Sequence, residues 1–168
     1  QTSVLPSGKW TPLTILQRID PDGAHHALID TGALITGMTN LEVAEYLLFN
    51  HLNPVVFKGI VFVSLDHERM VLLRDGARVI TMAQCGLAYH ERFSFYDHVH
   101  TTGMDIKQPL ISCAVITLGK SMTLRDFAQG AYRMRGIGKG QQIELFVPGE
   151  VEFLIDRAAA KNGYPGSS

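Results

Sequence analysis

The feature that most constrains this chain is the succession of a short apolar run, a capped helix and a second apolar run between residues 25 and 65. "HALIDTGALI" has the continuous apolar character of a strand buried on both faces. It is followed at once by "TNLEVAEYLLFN". There Thr39 and Glu42 have the spacing of a capping box, and Leu41, Ala44, Leu47 and Leu48 recur on one helical face. "GIVFVSL" at 59–65 then reads as a second buried strand. A strand, a helix and another strand in that order predict a parallel pair joined by a crossover.

The same grammar continues. "MVLLRDGARVITM" reads as a hairpin turning at Asp75-Gly76, and "RFSFYD", "SCAVITLG" and "QIELFV" as three more strands. "MTLRDFAQGAYRMR" is expected to be a helix capped by Thr123 and Asp126, with Leu124, Phe127 and Ala131 on its buried face. "EVEFLIDRAAAKNG" is expected to be a closing helix ended by Gly163. The expectation is an α/β domain with a mostly parallel sheet covered on both faces by helices and a β-hairpin insertion. Residues 1–24 read as an irregular approach, 25–163 as a single lobe and 164–168 as a flexible tail. The start at Gln1 suggests a piece excised from a longer protein.

The 168 residues are 46% hydrophobic and 18% charged, with a net charge of −1. That is a globular composition, without the charge excess of a disordered chain or of a general nucleic-acid binder. No apolar run approaches the ~20 residues of a membrane helix, so no membrane partner is expected. Cys85 and Cys113 lack CxxC spacing, which fits a reducing, intracellular setting, cytoplasmic or nuclear.

Several motifs carry chemistry. Asp30-Thr31-Gly32 has the form of an aspartic-protease signature, but a helix follows within ten residues, whereas such proteases are nearly all β. The better reading is a turn at the carboxyl end of a parallel strand, where open α/β sheets place ligand contacts. "ITLGKSMT" ends like a phosphate-binding loop, yet the position five before Gly119 is Ala114 and not glycine, so no complete P-loop is present. Arg125, Gln129 and Arg133 form a stripe on their helix. Arg133, Arg135 and Lys139 then crowd around Gly136, Gly138 and Gly140, a set suited to a phosphate or a carboxylate. Asp97, His98, His100 and Asp105 have spacing compatible with a metal site, with the two histidines on one face of a strand. Without a cysteine pair or HExxH, ordinary loop or interior histidines are the better reading, and no metal is expected. His25-His26 reads as a solvated approach to the first strand.

"HTTGMDIKQ" followed one strand later by the Gln129–Arg133 helix resembles motifs V and VI in the second RecA-like lobe of superfamily-two helicases. Motif V would fall on Thr102, Gly103 and Asp105, and motif VI on Gln129 and Arg133. The chain departs from that pattern at Gly136, where the last arginine belongs, and Arg135 and Lys139 flank the gap. "LIDTGALITGMTNLEVAEYLL", "VHTTGMDIKQ" and "MRGIGKGQ" also resemble the C-terminal part of very large eukaryotic proteins with domains of unknown function, grouped with ubiquitin thioesterases or described as P-loop NTPase-like.

The first resemblance implies a lobe that completes an ATP site with a preceding lobe, ATP and magnesium being held only by the two together. Arg133, helped by Arg135, would contact phosphate, and Thr102, Gly103, Asp105, Gln129 and Lys139 would couple the nucleotide to motion. The second implies a ubiquitin-processing thiol hydrolase, for which Cys85 with His90 or His98, and Asp97, is the set available. A catalytically inactive scaffold is the third reading. Ubiquitin or a nucleic acid is the partner expected besides the preceding lobe.

Overall fold

The computed structural model describes residues 2–6, 8–100, 112–119 and 141–149. Their elements are, in chain order, β1 (Thr2–Leu5), α1 (Pro12–Gln17), β2 (Ala27–Ile29), α2 (Asn40–Asn50), β3 (Gly59–Val63), β4 (Arg69–Leu73), β5 (Val79–Thr81), β6 (Arg92–Tyr96), β7 (Ser112–Thr117) and β8 (Gln141–Pro148). The strands form one sheet in the order β1-β8-β7-β2-β6-β3-β4-β5. Every pair from β1 to β3 along that order is parallel, and the edge hairpin β3-β4-β5 is antiparallel. The α/β class and the mostly parallel sheet are therefore as expected. The helices expected at 122–135 and 150–163 lie outside the described residues, as does the tail.

Alternation along the strands sorts the core into two faces. Leu28, Ile60, Phe62, Phe93, Phe95 and Val115 point to one side, where they pack with Ile15 and Leu16 of α1 and Val43, Ala44, Leu47 and Leu48 of α2. Ala27, Ile29, Val61, Tyr96, Ala114 and Ile116 point to the other, against Ile80, Met82 and Cys85. Both described helices thus cover the same face. The capping box of α2 is reciprocal: the Glu42 amide donates to Thr39 Oγ1 and the Thr39 amide donates to Glu42 Oε2. The Asp75-Gly76 turn is also present, within a single 3-10 turn Asp75–Ala77 where Gly76 has φ +70°.

Two expectations need correction. "HALIDTGALI" is a strand only over Ala27–Ile29, because the Asp30 carboxylate accepts the amides of Leu34 and Ile35 and so closes the chain into a turn. The opening expected to be irregular contains two regular elements, Thr2–Leu5 and Pro12–Gln17. Among the described residues β1 is an edge strand with a single neighbour, and α1 is a six-residue helix with its own capping box, Thr11 with Thr14, and Pro12 in its first turn. Arg18 ties the two together by donating to the Val4 carbonyl.

Candidate functional site

The chain continuing from β2 leads through α2 to β3, on the β6 side of β2, whereas β7 is followed in sequence by β8 on the opposite side. The carboxyl ends of the neighbours β2 and β7 therefore mark a topological switch point, where open α/β sheets bind ligands. At this point Asp30, 1% exposed, accepts the Thr117 hydroxyl at 2.7 Å on Oδ1, besides the Leu34 and Ile35 amides. Thr117 Oγ1 in turn accepts the Gly32 amide at 3.0 Å. The backbones touch here: a Cβ on Gly32 would stand 2.7 Å from Gly119 N, and one on Gly119 would stand 2.6 Å from Gly32 O. Asp30 is thus a buried organiser of the loop. Ala114 lies inside β7, so this segment is extended where a P-loop would have to curve.

A cleft of about 340 Å³ opens farther along the same edge, between the start of α2 and the segments that follow β3 and β6. On its wall Asp97, His100 and His67 form a hydrogen-bonded chain. His100 Nδ1 donates to Asp97 Oδ1 at 2.6 Å, and His100 Nε2 and His67 Nδ1 are 2.7 Å apart. A carboxylate only accepts, so Asp97 places the proton of a neutral His100 on Nδ1. His100 Nε2 then accepts from His67 Nδ1, and His67 Nε2 keeps its lone pair. His100 is buried and His67 exposed. Such a chain can take up a proton at His67 or offer imidazole nitrogens to a metal.

The expected strand geometry at 98–100 is corrected here. His98–His100 is a single 3-10 turn, and that turn brings residues 97 and 100 together while leaving His98 exposed. His67 was not identified from sequence, since its partner lies 33 positions away. The amino end of α2 also lines the cleft, but Glu42 already occupies it, which leaves little attraction for a phosphate there.

The thiol set is not assembled among the described residues. Cys85 follows the turn Met82–Gln84 and packs against the second apolar cluster, and no hydrogen bond joins it to the exposed His90. Cys113 sits in β7, and burial, followed by the nearby Glu144 carboxylate, raises its pKa and keeps it a thiol. His25, Cys113 and Glu144 form the one metal-like triad of side chains among the described residues. Its hydrogen bonds argue against an ion. His25 Nδ1 accepts the Asp20 amide at 2.8 Å, so the ring proton is on Nε2, which donates to Glu144 at 2.6 Å. A metal at Nε2 would leave that ring without any proton. His25 is buried, contrary to the solvated approach expected for it, and its neighbour His26 accepts the Cys113 amide.

Thr102, Gly103, Asp105, Gln129, Arg133, Arg135 and Lys139 lie outside the described residues. Comparison with protein-family models, with curated proteins and with solved structures gives no match. No helix among the described residues is long and apolar enough to cross a membrane.

Proposed function

We propose that this chain is a RecA-like second lobe of a helicase- or translocase-like NTPase, which completes a nucleotide site together with a preceding lobe. One observation carries the reading: β6 and β7 are the two parallel neighbours of β2, and their carboxyl ends flank the Asp30–Gly32 turn at the switch point. In sequence, β6 leads to Thr102, Gly103 and Asp105, and β7 leads to Gln129, Arg133, Arg135 and Lys139. The two groups of residues that resemble motifs V and VI therefore follow strands that end at one edge of the sheet. In this reading Arg133, helped by Arg135, neutralises charge on the transferred phosphoryl group, and Asp105 and Gln129 link the site to lobe movement. ATP and magnesium bind between the lobes, and the chain alone does not hydrolyse ATP because it has no complete P-loop. A ubiquitin-directed thiol hydrolase has less support, since Cys85 is packed against apolar side chains and among the described residues no histidine is hydrogen-bonded to it.

The test is ATP hydrolysis by a protein carrying both lobes. Arg133→Ala is expected to lower kcat at least about 100-fold, the scale of losing one charge contact in the transition state, while Cys85→Ala leaves it unchanged. Absence of hydrolysis in the unaltered two-lobe protein would overturn the reading.

A further inference from the structure

The Asp97–His100–His67 chain has an arrangement that the nucleotide reading does not use. Two imidazole nitrogens, His67 Nδ1 and His100 Nε2, face each other at 2.7 Å on the wall of the cleft. The remaining nitrogen of His100 is held by Asp97 at 2.6 Å. A carboxylate that receives the far N–H of an imidazole is the usual outer support of a histidine metal ligand, where it fixes the ring and raises its basicity. The His25 triad lacks this property, because its far nitrogen accepts a hydrogen bond from the Asp20 amide instead of donating one to a carboxylate.

We propose that His67 and His100 bind a divalent transition ion of the zinc class, with Asp97 as the residue that orients His100. Two imidazole nitrogens at ~2.0–2.1 Å from a tetrahedral ion stand roughly 3.3 Å apart, so the pair must open by about 0.6 Å. His67 can supply that movement. It is exposed on the short loop between β3 and β4, whereas His100 is buried and anchored. The proton balance is simple: His67 transfers its ring proton from Nδ1 to Nε2, His100 keeps its own on Nδ1, and both rings bind as neutral ligands. The other coordination positions face the cleft and remain open to water or to an oxygen of a bound ligand. Nitrogen ligands favour zinc over magnesium, which separates this site from the magnesium that accompanies a nucleotide.

Zinc binding to metal-free protein, followed by titration calorimetry, tests the site independently of any ATPase activity. One zinc per chain is expected, with magnesium not competing. His67→Ala, at an exposed position that does not threaten folding, abolishes binding. Asp97→Asn weakens it roughly 10–100-fold. Cys113→Ser leaves it unchanged. The assignment is overturned if no zinc binds, if His67→Ala binds as the unaltered chain does, or if binding is lost with Cys113→Ser, which would move the ion to the His25 triad.

Discussion

The hydroxyl of Thr117 donates to the carboxylate of Asp30 at 2.7 Å and accepts the amide of Gly32 at 3.0 Å, so one side chain at the end of β7 fixes the turn that follows β2. Both residues are fully buried, where an unmade hydrogen bond carries its whole desolvation cost. Thr117→Val keeps the shape and removes both bonds. It is expected to destabilise the fold by about 1–3 kcal/mol in urea unfolding, whereas Thr117→Ser retains most of the stability.

The contact between Gly32 and Gly119 leaves no room for a side chain on either. A Cβ on Gly32 meets Gly119 N and the Leu118 carbonyl carbon at 2.7 Å, and backbone atoms cannot swing aside as a flexible side chain would. Gly32→Ala and Gly119→Ala are each expected to cost about 1–3 kcal/mol, and the pair less than the sum, since one shift of the two backbones relieves both. Gly86 has open space around it, so Gly86→Ala serves as the neutral control in the same thermal-unfolding series.

His26 has a pKa lowered from its usual 6.5, first by burial and then by the neighbouring His25. On acidification the unfolded chain therefore takes up this proton before the folded one does. Its contribution is fully present above about pH 6.5 and is lost as the pH falls below that value, with a slope of at most about 1.4 kcal/mol per pH unit. The urea midpoint should be lower at pH 5.5 than at pH 7.5, and His26→Gln should reduce the difference. A difference unchanged by that substitution would assign it to other groups.

The capping box at α2 predicts a more local loss. Thr39→Ala removes the acceptor for the Glu42 amide and is expected to cost about 1 kcal/mol. Hydrogen exchange should show the loss in the first turn of α2 before it shows in β3.

What could be read from the sequence was what depends on neighbours in the chain. Thr39 and Glu42 marked the start of α2 because a capping box is complete within four residues. The apolar runs of β3 and β7 marked interior strands because burial on both faces removes polar alternation. β1 and α1 were missed because four and six residues are too few to show a period, and β1 is ordered by β8, far away in sequence. β2 was drawn too long because the apolar character of Ala33, Leu34 and Ile35 outlasts the strand, which Asp30 ends. The site divides in the same way. Asp97 and His100 were recognised as candidates, but on a strand, and their hydrogen bond depends on a 3-10 turn. His67 joins them only through the pairing of β3 with β6. Asp30-Thr31-Gly32 was placed at a strand end facing the ligand edge, and its acceptor and donor partner Thr117 came from a strand 85 residues on.

In the proposed two-lobe enzyme, nucleotide engages the carboxyl edge of the sheet at the switch point between β2 and β7. Hydrogen exchange followed by mass spectrometry, on a protein carrying both lobes with and without a magnesium-bound non-hydrolysable ATP analogue, tests it most directly. Slower exchange is expected in peptides spanning Asp30–Ile35 and Thr117–Gly119, with the opposite edge around His25, His26 and Cys113 unchanged. Equal exchange at 30–35 and 117–119 under saturating analogue, or protection confined to the His25 edge, would contradict it.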